Sequence, residues 1–160
     1  MSRHFPMPEG DPCYFCEIAN GNAHQWQIIE KCELTLTLLN GRQFEIGQCI
    51  VIPRRHVPTL LDLEESEDIA VMAAARRLAQ ALVDAYSPDG ILMYQNNGTG
   101  SGQEVPHFHL HVVPRRPGSD WGLGPPHLER LERDGLLKHN DHLSVTEEKK
   151  RTVAEIRQRF

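Results

Sequence analysis

His107-Phe108-His109-Leu110-His111-Val112-Val113 is the stretch on which the reading of this chain turns. Three histidines alternate with apolar residues. Successive side chains of a β-strand point to opposite faces, so the alternation predicts a strand over 107–113. His107, His109 and His111 then share one face, and Phe108, Leu110 and Val112 the other. Pro114-Arg115 closes it. Three imidazoles in a row concentrate groups that titrate near neutrality, attack electrophiles and bind metals. Core packing alone calls for none of them. A simple metal site using two of the three is the competing reading.

The residues just upstream bear on that choice. Asn96-Asn97-Gly98-Thr99-Gly100-Ser101-Gly102 is a glycine-rich loop. Glycine lets backbone N–H groups approach an anion closely, and Gln103 adds a neutral donor. A neutral imidazole is a competent nucleophile toward phosphorus, and His109, the middle histidine, is the natural candidate. Asn40 and Asn96 read equally well as turn or strand-end residues on sequence alone.

Further out, residues 13–20 read as a short helix that stops at Asn20-Gly21. Cys13-Tyr14-Phe15-Cys16 sits at its start, where thiolates are favoured. Residues 26–30 form a short strand. Residues 34–38 alternate Leu with Thr, the pattern of a half-buried strand. Residues 48–53 are a near-continuous apolar strand running into Arg54-Arg55-His56. The strongest helix spans 63–86, with Ile69, Met72, Ala75, Ala79, Leu82, Val83 and Tyr86 at helical spacing. Asp62 is its expected cap, with Glu64, Glu65 and Glu67 in the first turn. Residues 91–95 form another strand, 114–126 an irregular segment, and 128–138 and 144–160 helices. The last has few apolar residues (Val153, Ile156, Phe160) and is read as packing on a partner or as a mobile tail. Helices do not separate every strand pair, so the sheet is mainly antiparallel and the class α+β. The expected organisation is an arm over 1–12, a domain over 13–117 and a C-terminal extension over 118–160 that packs on the domain or a partner.

The chain has 160 residues, 39% hydrophobic and 24% charged, with a net charge of −5. That is one domain with a real core. The charge disfavours binding of a nucleic-acid polymer. No apolar run approaches a membrane span and no signal peptide is evident, so the expected location is cytoplasmic. There, a Cys-x-x-Cys pair is a metal or redox motif rather than a disulfide. Cys32 and Cys49 read as small buried hydrophobes.

The run from Asn96 to Val113 resembles the histidine-triad (HIT) superfamily, whose motif His-φ-His-φ-His-φ-φ (φ apolar) is matched at all seven positions. Leu39-Asn40 and Val51-Ile52-Pro53-Arg54-Arg55-His56-Val57 resemble a second region of that family, and with the cysteine pair the resemblance covers about 13–117. It implies a five-stranded sheet with one long helix, and a homodimer joined through that helix and an edge strand into one continuous sheet. It implies hydrolysis at the α-phosphate of dinucleoside polyphosphates or nucleoside phosphoramidates, purine preferred, through a nucleotidyl-histidine. In that scheme His109 is the nucleophile and His111 contacts the α-phosphate and aids the leaving group. Gln103 and Gly102 contact phosphate, Asn40 binds ribose and Asn96 belongs to the phosphate loop. The alternatives are nucleotidyl transfer to a phosphorylated acceptor, and a non-catalytic nucleotide-binding or zinc-linked interaction protein.

Members that carry the cysteine pair resemble galactose-1-phosphate uridylyltransferases in using a structural zinc. The resemblance implies the ligand set Cys13, Cys16, His56 and His107. Two positions depart from the family pattern. Gln48 stands where many members have a histidine that supports the triad, a departure that fits a zinc-bound His107. Glu104 stands where several have Ser or Thr near the phosphate, and its carboxylate would repel phosphate unless it points away. Arg54, Arg55, Arg115 and Arg116 are read as solvated strand ends before phosphate contacts.

Overall fold

The computed structural model describes residues 4–116, 118 and 145–160. The irregular segment expected over 114–126 lies largely outside them and the helix expected over 128–138 wholly so. Five strands form one antiparallel sheet in the order β1-β2-β3-β5-β4: β1 Ile28–Lys31, β2 Thr35–Leu39, β3 Cys49–Pro53, β4 Gly90–Tyr94 and β5 Leu110–Arg115. Among the described residues three α-helices accompany it: α1 Tyr14–Ala19, α2 Glu65–Tyr86 and α3 Glu147–Arg157. The class is α+β with a HIT-like sheet and one long helix, as the alternation and the resemblance implied.

The alternation sorts side chains onto two cores. Leu36, Leu38, Ile50 and Ile52 meet Phe15 and Ile18 of α1 on one face. Leu39, Cys49, Val51, Phe108, Leu110 and Val112 meet α2 and α3 on the other. β2 is buried on both faces, because Thr35 and Thr37 lie under the helices. It is not the half-solvated strand its Leu-Thr alternation suggested. The expected first strand starts later, at Ile28, since Gln25–Gln27 is a 3-10 turn.

The histidine strand also starts later than its period implies. Only His111 lies within β5, and the ladder with β3 runs Cys49↔Val112, Ile50↔His111, Val51↔Leu110. Pro53 ends β3 and has no N–H to continue that ladder. Phe108 instead donates to the Val57 carbonyl at 2.5 Å. Side-chain alternation survives this bend, with Phe108 still in the helix-side core.

α2 buries Val71, Ala74, Ala75, Leu78, Ala81 and Leu82. Ile69, Met72 and Val83 are exposed, at 65%, 56% and 42%. The stripe read from the sequence therefore straddled two apolar faces. At about 100° per residue, Ile69, Met72 and Val83 fall within roughly a 60° arc nearly opposite the buried stripe. The cap is Glu64, whose N–H donates to the Glu67 carboxylate at 3.0 Å. Asp62 instead accepts the Thr59 hydroxyl at 2.6 Å. Cys49 is fully buried, whereas Cys32 lies outside the strands and accepts an Arg77 N–H at 3.4 Å.

α3 packs on this chain, through Val153 and Ile156 in the helix-side core, and Arg157 donates to the Ile28 carbonyl. It packs against β1, and among the described residues β4 is the edge strand at the other end of the sheet. Among the described residues no helix is long and apolar enough to cross a membrane.

Candidate active site and metal centre

A cavity of about 740 Å³ opens on the α1 face of the sheet. His109, His111, Gly102 and Gln103 line it from the triad and the glycine loop, and Asn40 and Asn96 from strand ends. The structure thus brings together every nucleotide-site residue expected from the sequence. His56 and His107, with the two cysteines, form a separate cluster beside it.

Hydrogen bonds set the tautomer of each triad histidine. His109 Nδ1 lies 2.8 Å from the His107 carbonyl. A carbonyl can only accept, so Nδ1 carries the proton and Nε2 is the basic nitrogen. The Gln48 amide oxygen accepts the Phe44 N–H at 2.9 Å, which turns its NH₂ toward Tyr94 Oη at 3.3 Å and His111 Nδ1 at 3.4 Å. His111 Nδ1 is therefore an acceptor, and its proton sits on Nε2. The Tyr94 ring stacks on His111, with centroids 4.3 Å apart and planes 13° off parallel. Burial holds all three imidazoles below their ordinary range, to about 4 for His107 and well below it for His111. The site presents one neutral imidazole as a base or nucleophile and a second as a donor, their rings 4.9 Å apart.

The glycine loop owes its shape to contacts inside the chain. Gln103 is buried, its Oε1 accepts the Gly98 N–H at 2.7 Å and its Nε2 donates to the carbonyls of Pro58 and Val105 at 2.8 and 2.9 Å. Its amide is thereby committed to backbone, in contrast to the free phosphate donor expected from the sequence. Asn96 Nδ2 donates to the Gly102 carbonyl at 3.2 Å across the same loop. Gly98 has φ +79°, and a Cβ there would stand 2.6 Å from Phe5 Cβ. The N-terminal arm lies that close because Thr99 donates its N–H to the Pro6 carbonyl at 3.0 Å. The Asn40 side chain has no hydrogen-bond partner among the described residues and is available to a ligand.

Cys13, Cys16, His56 and His107 bring one ligand atom each to within 4.8 Å of one another. Cys13 Sγ and Cys16 Sγ are both 3.6 Å from His107 Nδ1, and Cys16 Sγ is 3.2 Å from His56 Nδ1. Sulfur and nitrogen ligands of a tetrahedral zinc stand roughly 3.6 Å apart, so the set fits such an ion. His107 Nε2 donates to the Pro53 carbonyl at 2.9 Å, which leaves Nδ1 as the metal-facing lone pair. The Cys16 thiol is pushed up to about 12 by burial and by Cys13 beside it. With no cation this opposes the thiolate expected at the helix start, and a divalent ion would reverse it.

Several contributors were not legible in the sequence. Phe15, between the two cysteines, packs against both His107 and His109, with centroids 5.8 and 5.2 Å away. Gln48, read from the sequence only as a departure whose supporting role zinc would take over, itself contacts the triad, at His111. Arg55 is no solvated strand end: Nε and Nη2 reach the buried Glu67 carboxylate at 2.9 and 2.6 Å, which fixes the segment carrying His56. Arg115 and Arg116 flank Glu45 at 3.6 and 3.7 Å. Glu104 pairs with Arg42 at 3.0 Å, and both line the cavity.

Comparison with known proteins agrees with this geometry. The family model described as HIT domain matches residues 23–118. The chain is 31% identical to an uncharacterized HIT-like protein of Borreliella burgdorferi, over 83% of this chain and 96% of that one. It is 32% identical to a bis(5'-adenosyl)-triphosphatase of Dictyostelium discoideum, over 58% and 62% of the two chains. The crystal structure of a zinc-bound histidine triad family protein from Mycobacterium smegmatis superposes with a TM-score of 0.64 at 31% identity, covering 89% of this chain and 93% of that one.

Proposed function

The chain belongs to the HIT family, and from that premise we propose that it hydrolyses nucleotides at the α-phosphate, with dinucleoside polyphosphates or nucleoside phosphoramidates as substrates. The observation that carries this reading is the pair of opposite tautomers, a basic Nε2 on His109 and a protonated Nε2 on His111. His109 Nε2 attacks the α-phosphorus. A P–N bond forms and the bond to the leaving group breaks, its electron pair going to the leaving oxygen or nitrogen. His111 Nε2–H donates a hydrogen bond to that leaving atom as charge builds on it, and the departing group takes its proton from solvent. Water then attacks the nucleotidyl-histidine, the P–N bond breaks, and the nucleoside monophosphate and neutral His109 are released.

Neutral donors suffice for the phosphate. Gly102 lets backbone approach it, and Asn96 and Gln103 hold that loop in shape. Asn40 is assigned to the ribose. The apolar end of the cavity, with Tyr14, Phe15 and Leu38, suits a purine ring. The ion assigned to the Cys/His set is zinc. With four protein ligands it has no open position, so its contribution is structural, tying α1 to the triad. The β4 edge, which has no outer partner strand among the described residues, and the apolar face of Ile69, Met72 and Val83 suit the homodimer the resemblance implies. No partner is assigned among nucleic-acid polymers or membranes, and the location assigned is cytoplasmic.

A single-turnover reaction with substrate labelled at the α-phosphorus, quenched in base, tests the chemistry. Acid-labile, base-stable label on the protein, absent in His109→Gly, is expected. Released monophosphate without label on the protein would refute the covalent route. No turnover with retained nucleotide affinity would favour a transferase awaiting its acceptor, or a binding protein.

A further inference from the structure

We propose that Arg42 is a specificity-determining residue that binds the anionic charge of a substrate beyond its α-phosphate, with Glu104 as the counter-ion it leaves to do so. This rests on the function proposed above, in which His111 faces the leaving group. Arg42 and Glu104 come from different parts of the chain, 62 residues apart, and meet at 3.0 Å on the cavity wall. The pair belongs to the His111 side of the cavity. Phe44, two residues after Arg42, donates to Gln48, and Gln48 donates to Tyr94 and His111. Burial pushes the Tyr94 hydroxyl up, and the Glu104 charge adds a smaller push in the same direction. The His111 side is where the leaving group departs.

Two features mark Arg42 as a receptor rather than a plain surface ion pair. Its side chain is 30% exposed, and Nη1 alone holds Glu104. Its Nε–H is buried with no acceptor. A guanidinium has five donors in a fixed fork suited to phosphate or carboxylate, and a buried donor left unpaired is costly. A swing onto a β- or γ-phosphate would replace one contact with Glu104 by a two-pronged one and give Nε–H an acceptor. The Glu104 side chain is itself 49% exposed. A leaving group without negative charge, such as the amine of a phosphoramidate, has nothing to offer Arg42 and leaves the pair intact.

The test is a binding comparison that does not depend on turnover. Affinities of AMP and of the α,β-methylene analogue of ATP are measured calorimetrically, without added divalent ions, for wild type, Arg42→Gln and Glu104→Gln. Arg42→Gln is expected to weaken the triphosphate analogue about tenfold, the effect of one charge-assisted contact, while AMP moves less than about twofold. Glu104→Gln is expected to tighten the triphosphate analogue, because it releases Arg42. Equal changes for both ligands, no change for either, or no binding of either by wild type would each overturn the proposal. Where wild type turns over, the ratio of kcat/KM for diadenosine tetraphosphate to that for adenosine phosphoramidate should fall in Arg42→Gln. An unchanged ratio would also overturn it. Loss of wild-type turnover with an intact affinity difference would refute the hydrolase reading alone.

Discussion

Replacing Glu67 separates two jobs that one buried carboxylate performs. Its side chain is 5% exposed, it accepts the Glu64 N–H at 3.0 Å at the start of α2, and it holds Arg55 at 2.9 and 2.6 Å. The helix-start bond is worth about 1 kcal/mol. A fully buried bidentate pair would add more, but the Arg55 side chain is 48% exposed, which discounts it to about 1 kcal/mol. Glu67→Ala should therefore cost about 2 kcal/mol, and Glu67→Gln, whose amide oxygen still accepts from Glu64, about 1 kcal/mol. At this chain length these are losses of about 4–8 and 2–4 °C in Tm. Burial pushes the Glu67 carboxyl up, but its bonds to Arg55 and to the Glu64 N–H outweigh that and hold it below its ordinary value. Folded protein thus binds that proton less readily than unfolded chain. The stabilisation is fully present above the unfolded pKa of about 4.3 and is shed as pH falls through the folded one. Urea titrations at pH 7 and below pH 4 should show the gap between wild type and Glu67→Gln closing in acid. A gap that does not narrow, or a Gln variant as unstable as the Ala variant, would refute this account. Zinc affinity, measured by chelator competition, should fall in both variants, because Arg55 precedes His56.

Gln48→Leu removes the donor that keeps His111 Nδ1 unprotonated, and at 3.4 Å that bond is weak. A loss of about fivefold in single-turnover rate is expected for a poor leaving group, and little loss for a nitrophenolate that needs no proton. Equal losses for both would contradict the assigned tautomer. Ile156→Ala empties a fully buried site between α3 and the sheet and should cost about 2–5 kcal/mol in urea unfolding; a cost below about 1 kcal/mol would mean that α3 does not belong to the cooperative unit. Burial lowers the pKa of His109 and His111, so kcat/KM should hold steady as pH falls through about 6.5 and drop only below it. Half-loss at or above that pH would show that the free-enzyme imidazoles are not shielded.

The alternation at 107–113 was legible because period 2 sorts side chains whatever the hydrogen bonding, and it sorted them correctly. The strand's true start at Leu110 was not, because there the Phe108 N–H goes to the Val57 carbonyl, 51 residues earlier in the chain, instead of into the ladder with β3. The helix over 63–86 was legible from its length and composition. Its buried face was not, because Ile69, Met72 and Val83 form a second apolar stripe that one chain alone leaves uncovered. Arg55 read as solvent-exposed because nothing local reveals that Glu67, a turn into the next helix, faces it.

By itself the sequence determined the α+β class, which follows from pattern along the chain, and its resemblance to a known family supplied the residues of both clusters. Only the tertiary structure decided which atom of each histidine carries its proton. That depends on the His107 carbonyl for His109 and on Gln48, anchored by the Phe44 N–H, for His111. It likewise decided that Gln103 serves the loop's backbone and that Glu104 meets Arg42. Hydrogen bonds and ion pairs of this kind depend on ångström-scale placement of groups far apart in the chain, and no linear pattern encodes that.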